Sequence, residues 1–171
     1  MGFSLSGKSA AKYLAGRGAD AYITENREEK PEDKKDIEEL TKLGVKVEFG
    51  KNSDEFINDS YIAVTSPSIP FDSDIYKKVK ERKIQIVSEV ELAYKESLHP
   101  FVAITGTNRK TTTTALTSHI LCSEFKAPVC GNIGVPPTSL LGSKLDYLVC
   151  EISSFQMAHT NAFRAQIACW T

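Results

Sequence analysis

Val102-Ala103-Ile104-Thr105-Gly106-Thr107-Asn108-Arg109-Lys110-Thr111-Thr112 decides the fold. The apolar residues around Val102–Thr105 read as a buried strand. A loop of small residues follows, and Lys110 opens a helix that runs to Glu124. Strand, small-residue loop, Lys-Thr and helix together describe a phosphate-binding loop in an α/β protein. Backbone N–H groups and the helix dipole hold anionic oxygens at such a turn. Lys110 would reach the terminal phosphates, and the Thr111 hydroxyl would ligate Mg²⁺. The competing reading is a surface loop with a chance Lys-Thr pair. One position departs from the pattern: glycine is expected before the lysine, and Arg109 stands there.

Downstream, Tyr147-Leu148-Val149-Cys150 is an apolar strand that delivers Glu151 at its carboxyl end. Ligand groups of α/β sheets gather at that edge. A lone glutamate there could cap a loop, but beside Lys110 and Thr111 a metal-binding role gains weight. Upstream, Gly2-Phe3-Ser4-Leu5-Ser6-Gly7 has the outline of a second glycine-rich turn, with Ser4 at the middle glycine and an Ala-rich helix from about Lys8. Such a turn can take a diphosphate, although an ordinary glycine turn reads the same way. Glu25, at the end of the next strand and followed by Asn26 and Arg27, occupies the place of a ribose-binding acid.

The remaining chain alternates strand and helix. Strands are expected at residues 21–24, 45–49, 62–65, 84–87, 128–130 and 166–170. Helices are expected at 33–43, 74–82 and 89–94. That alternation implies parallel sheets with covered faces. Of the 43 charged residues, 35 lie in residues 1–99 and 8 in residues 100–171. The shift divides the chain into residues 1–98 and 99–171, with the boundary near Ser97–Pro100. Hydrophobic residues make up 41% and the net charge is −1. Those values exclude a disordered chain and give no general attraction to nucleic acid. No apolar run is long enough for a membrane helix, and a cytoplasmic location is expected. The four cysteines lack metal-ligand spacing and read as buried thiols. Trp170 reads as core, His119 as packed or capping, and Lys77–Lys83 as a solvated helix face.

Three strings resemble the Mur ligases, the ATP-dependent amide-forming enzymes of peptidoglycan synthesis. They are Ala103–Thr112, Gly131-Asn132-Ile133-Gly134 and Glu151-Ile152-Ser153-Ser154-Phe155-Gln156, the last being the most discriminating. Weaker support comes from Thr24–Arg27, Ser66–Ile69 and Ser88–Glu91.

The resemblance implies a Rossmann-like unit over 1–98 that holds the uridine diphosphate of the acceptor. It implies that 99–171 is the first part of a P-loop ATPase domain. The member it resembles most joins D-glutamate to UDP-N-acetylmuramoyl-L-alanine through an acyl phosphate, with ATP and Mg²⁺ as cofactors. By position, Leu5, Ser6, Glu25, Asn26, Arg27, Ser68, Asn132 and Ser153 would contact the uridine substrate. Gly106, Thr107, Asn108, Arg109, Lys110, Thr111 and Thr112 would cradle ATP. Thr111 and Glu151 would hold the metal, and Lys110 and Asn132 would act in catalysis. A monomer without nucleic-acid or membrane partners is expected. Ser4, Ser68 and Arg109 stand where the family has glycines. The family's first strand and its third domain have no counterpart here, so a fragment inactive by itself is expected. The alternatives are a nucleotide-binding remnant without turnover, another Mur-type ligase, a folylpolyglutamate synthase or an unrelated P-loop kinase. The last two leave residues 1–99 or the Glu151–Gln156 string unexplained.

Overall fold

The computed structural model describes residues 1–171. The chain forms two compact units, Met1–Val87 and Ser88–Thr171. The division falls ten or so residues before the 98/99 boundary expected from composition. The reason is packing: Val90 and Ala93, on a helix that precedes that boundary, lie in one apolar cluster with Phe101, Leu148 and Cys150.

Unit 1 begins with helix α1 (Leu5–Gly16) and strand β1 (Tyr22–Glu25). Helix α2 (Lys34–Lys42), strand β2 (Lys46–Phe49) and a four-residue helix α3 (Glu55–Asn58) follow. Strand β3 (Ile62–Thr65), helix α4 (Asp74–Glu81) and strand β4 (Gln85–Ser88) complete it. β1 runs parallel to β2, with Ile23 opposite Val47. β3 pairs with β4 in a separate two-stranded sheet. Ile23, Leu40 and Val45 bury together with Phe3 and Ala11. Ile57, Ala63, Ile75 and Val79 form a second cluster.

The Gly2–Gly7 turn is tighter than the sequence suggests. Helix α1 starts at Leu5 rather than Lys8, because Ser4 caps it: its hydroxyl accepts the Gly7 N–H at 3.2 Å. Serine at this position thus supplies a side-chain acceptor for one of the helix's free N–H groups. Gly7 is required by close approach, since a Cβ there would stand 2.1 Å from the Gly2 carbonyl oxygen.

Unit 2 begins with helix α5 (Glu89–Glu96), strand β5 (Phe101–Thr105) and helix α6 (Lys110–Leu121). Strands β6 (Val129–Gly131) and β7 (Leu148–Glu151), a short helix α7 (Ser154–Met157) and strand β8 (Ile167–Trp170) follow. The four strands form one sheet in the order β6-β7-β5-β8, and the three pairings are parallel. The α/β class with parallel sheets is the one the alternation predicts. Central strands β5 and β7 are buried almost throughout, as expected for strands covered on both faces.

Edge placement overturns two expectations. β8 lies at the sheet edge, so Trp170 is 82% exposed and Cys169 is a surface thiol. Cys122 is also exposed, whereas Cys130 and Cys150 are buried and face each other in the β6–β7 register. His119 is exposed, in the last turn of α6. Lys78 and Arg82 of the basic helix face pair with Asp54. No helix is long and apolar enough to cross a membrane.

Candidate nucleotide and metal site

Strand β5 ends at Thr105, whose hydroxyl donates to the Ile152 carbonyl at 2.8 Å and ties the loop base to the end of β7. Gly106 follows with φ +141°, and a Cβ there would collide with Thr171, 1.9 Å from its carbonyl oxygen. Thr171 also braces the loop from the end of β8. Its carbonyl accepts the Thr107 N–H at 3.1 Å, and its hydroxyl donates to the Asn108 carbonyl at 2.6 Å.

Arg109 precedes α6 in the left-handed conformation, at φ 62° and ψ 9°, without a side-chain cap. The first N–H groups of α6 therefore have no partner within the helix and converge at its positive end. Lys110 folds back over the loop, and its Nζ donates to the Gly106 carbonyl at 2.8 Å.

The carboxylate of Glu151 joins the two remaining motifs. Its Oε2 accepts the Thr111 hydroxyl at 2.9 Å, and its Oε1 accepts the Asn132 amide at 2.7 Å. Glu151 is buried, and its own carbonyl takes the Asn132 N–H at 2.8 Å. Parallel pairing explains the convergence. β5, β6 and β7 all present their carboxyl ends at one edge, with Ile104 and Gly131 each opposite Glu151. Thr111, Asn132 and Glu151 are thus joined by hydrogen bonds, whereas Lys110 is engaged with the loop carbonyls. A hydroxyl, a carboxylate and an amide oxygen are hard donors of the kind Mg²⁺ accepts. Ser153 lies one residue beyond Ile152 but is engaged locally: it caps α7 in a reciprocal box with Gln156.

In unit 1, the residues assigned to the uridine substrate cluster around the Gly2–Gly7 turn. Glu25 accepts the Phe3 N–H at 2.7 Å and the Arg27 N–H at 3.2 Å. Arg27 forms a two-pronged pair with Asp33 at 2.6 and 2.9 Å, and its guanidinium lies 5.3 Å from the Phe49 ring centre. The Arg27 hydrogen bond holds the Asp33 carboxyl down at about 2. Leu5 and Asn26 are exposed, Ser6 is half-buried, and Ser68 shares a 3.0 Å hydrogen bond with Ser66.

Two carboxylates that sequence reasoning left without a role prove to be buried. Glu89 accepts the Thr138 N–H at 2.7 Å through Oε1, while its buried Oε2 has no partner. Glu91 accepts three backbone N–H groups, from Asn161, Ala162 and Phe163. The only local signal was Ser88-x-x-Glu91, a helix-start pattern, and Ser88 does cap α5 through the Glu91 N–H.

The left-handed conformation of Arg109 carries a first expected result. A non-glycine residue there costs about 1–3 kcal/mol, and its Cβ crowds the approach to bound phosphates. Lys110 already supplies a cation, so the steric term outweighs any gain from the guanidinium. Arg109→Gly should bind ATP·Mg²⁺ at least about tenfold more tightly, by calorimetric titration. Equal or tighter binding by the arginine form would mean that the guanidinium itself holds phosphate.

Fold and loop together define an α/β protein whose strand–loop–Lys-Thr–helix segment has the outline of a phosphate-binding loop. The profile of the Mur ligase MurD-like N-terminal domain matches residues 1–88, and the chain belongs to that family. Over 171 residues the chain is 39% identical to the UDP-N-acetylmuramoylalanine–D-glutamate ligase of Caldanaerobacter subterraneus subsp. tengcongensis. The match covers 98% of this chain and 38% of that protein. The ligase of the same name from a Thermoanaerobacter species is 42% identical, over 80% of this chain and 31% of its own length. That from a Geobacillus species is 38% identical, over 98% and 38%. The chain therefore spans well under half the length of these relatives. A solved pseudomurein peptide ligase type C from Methanothermus fervidus aligns with 88% of this chain and 30% of its own, at a TM-score of 0.49 and 20% identity.

Proposed function

We propose that this chain is the nucleotide-binding part of an ATP-dependent ligase that joins D-glutamate to UDP-N-acetylmuramoyl-L-alanine. Unit 1 takes the uridine diphosphate of the acceptor at the Gly2–Gly7 turn, with Leu5, Ser6, Glu25, Asn26, Arg27 and Ser68 around it. Unit 2 takes ATP on the 106–112 loop. The observation that carries this reading is Glu151, which holds Thr111 with one oxygen and Asn132 with the other. The family membership and the names of the relatives point to the same chemistry.

Thr111 and Glu151 would hold Mg²⁺, which would supply charge neutralisation for the ATP phosphates. The α6 N–H groups hold the terminal phosphate in place. Lys110 exchanges its loop carbonyls for phosphate oxygens. Asn132 and Ser153 would contact the acceptor. The acceptor carboxylate then forms a bond to the γ-phosphorus as the bond to ADP breaks. The amine of D-glutamate displaces phosphate from the resulting acyl phosphate and loses a proton. Positioning and charge stabilisation supply most of such a reaction's acceleration.

Titration of ATP into the chain with Mg²⁺ and with excess EDTA tests the metal assignment. Binding should be tighter with Mg²⁺, and Glu151→Gln should remove about tenfold of that affinity. Identical affinities with and without the metal would remove Thr111 and Glu151 from the metal site.

A further inference from the structure

Two cations beside the Gly2–Gly7 turn are each paired with an acid of the chain. Lys8 pairs with Asp36, and Arg27 pairs with Asp33. The Arg27 pair is the more complete. Its two terminal nitrogens donate to the two Asp33 oxygens at 2.6 and 2.9 Å. The same Nη1 donates to the Glu28 carbonyl at 3.0 Å. Three guanidinium N–H groups are thus engaged inside the chain, out of the five that an arginine carries.

Asp33 is unlike an ordinary surface acid. It is 7% exposed and ends a short 3₁₀ turn, Pro31–Asp33. Its Oδ2 also accepts the Lys30 N–H at 2.9 Å, which staples the turn. That staple needs one oxygen. The other, aimed at Nη2, serves Arg27 alone. Backbone contacts hold the arginine at its root. Its N–H donates to Glu25 at 3.2 Å, and its carbonyl accepts the Gly50 N–H at 3.0 Å. The residue is therefore fixed at both ends of its side chain.

The guanidinium plane so fixed lies against aromatic rings. Its carbon stands 5.3 Å from the Phe49 ring centre and 5.9 Å from that of Phe3. The two rings pack on each other at 4.9 Å. Even so, 36% of the Arg27 side chain stays exposed. A guanidinium whose charge is paired and whose fork is occupied is a poor phosphate ligand, since two-pronged phosphate recognition uses that same fork. What it offers instead is a flat, weakly hydrated surface on which planar rings stack.

We propose that Asp33 is a positioning residue that turns Arg27 from a phosphate-binding cation into a rigid platform for the planar, uncharged base of the acceptor. This rests on the reading of the Gly2–Gly7 turn as the uridine site. Holding the platform in advance matters, because a loose arginine side chain loses rotamer freedom when a ring settles on it. The diphosphate is then left to the N–H groups at the start of α1.

Calorimetric titration of UDP and of inorganic pyrophosphate into the full chain tests this in four forms: the parent, Asp33→Asn, Arg27→Ala and the double variant. Asparagine keeps an acceptor for Lys30 but turns an amide toward Nη2, so it opens the fork and spares the turn. UDP should bind the parent with a Kd below about 1 mM, and Asp33→Asn should weaken it at least about fivefold. In the Arg27→Ala background the same change should weaken it less than about twofold. Pyrophosphate should bind Asp33→Asn as well as it binds the parent, or more tightly, because a cation has been released. A turn that merely needed Asp33 to fold would lose both ligands together. Unchanged UDP affinity in Asp33→Asn, an equal loss in both backgrounds, or a parallel loss of pyrophosphate would overturn the role of Asp33 and leave the uridine site standing. Absence of UDP binding to the parent up to about 5 mM would overturn the site itself, and the proposal with it.

Discussion

Glu91→Ala should destabilise unit 2 by about 3–4 kcal/mol, read as a fall in the urea midpoint at constant slope. Glu91 is fully buried, on the face of α5 that packs into the unit. Its Oε2 accepts the N–H groups of Asn161 and Phe163 at 3.0 and 2.9 Å, and its Oε1 accepts that of Ala162 at 2.9 Å. Residues 161–163 belong to no helix or strand, so these donors have no ladder to satisfy them. Lys95, one turn later, adds an ion pair at 3.4 Å. Burial alone would raise the Glu91 carboxyl, but the three donors and Lys95 outweigh it and hold it below the usual range. Hydrogen bonds to a charged acceptor contribute about 1.5–3 kcal/mol each. Water reaches Asn161 and Ala162 in the variant and recovers part of that. Glu91→Gln should rescue little, because its amide NH₂ would face an N–H donor. Full rescue by glutamine would mean that side-chain volume, not acceptance, is what matters there.

The parts of this structure that were legible in the sequence are those set by neighbours along the chain. The strand–loop–Lys-Thr–helix pattern is contiguous, and the structure builds Phe101–Thr105 and Lys110–Leu121 around it. Glu151 was legible because an apolar strand ending in a carboxylate has one place to put it in a parallel sheet. What was hidden depends on distant partners. Sheet order puts β8 at an edge, and this exposes Trp170 despite its apolar neighbours. The Glu91 partners lie 70 to 72 residues away. α3 and α7 have four residues each, too few for a helical period to show. Ser4 looked like a lost glycine because the motif was compared with a template. Its spacing to Gly7 is that of an N-cap, a reading that needs only the local chain. The boundary was misplaced because composition tracks surface charge, whereas the units divide by packing, and α5 carries charged residues while packing with Phe101 and Leu148.

Glu89→Gln should flatten the alkaline side of the unit 2 stability curve, stabilising the protein by about 3 kcal/mol at pH 8 while changing little at pH 5. Glu89 is 1% exposed, with one oxygen on the Thr138 N–H and the other unpartnered. Burial raises its carboxyl from 4.5 to about 7, against the opposing hydrogen bonds from Thr138. The folded state therefore holds a proton that the unfolded chain releases. The stability it contributes is complete below about pH 4.5 and is lost as the pH rises through about 7. A shift from 4.5 to about 7 corresponds to roughly 3 kcal/mol at 1.36 kcal/mol per pH unit. Glu91 acts in the opposite sense, because its lowered carboxyl contributes stability that is lost in acid. The two glutamates, on one helix and two residues apart, thus contribute opposite pH dependences to the unit's stability. Glutamine at 89 keeps an acceptor for Thr138 and carries no charge at any pH. Urea unfolding of both forms from pH 4 to pH 8, followed through Trp170 in unit 2, isolates the difference. Parallel curves over that range would show that Glu89 ionises freely in the folded protein, and that water reaches its second oxygen.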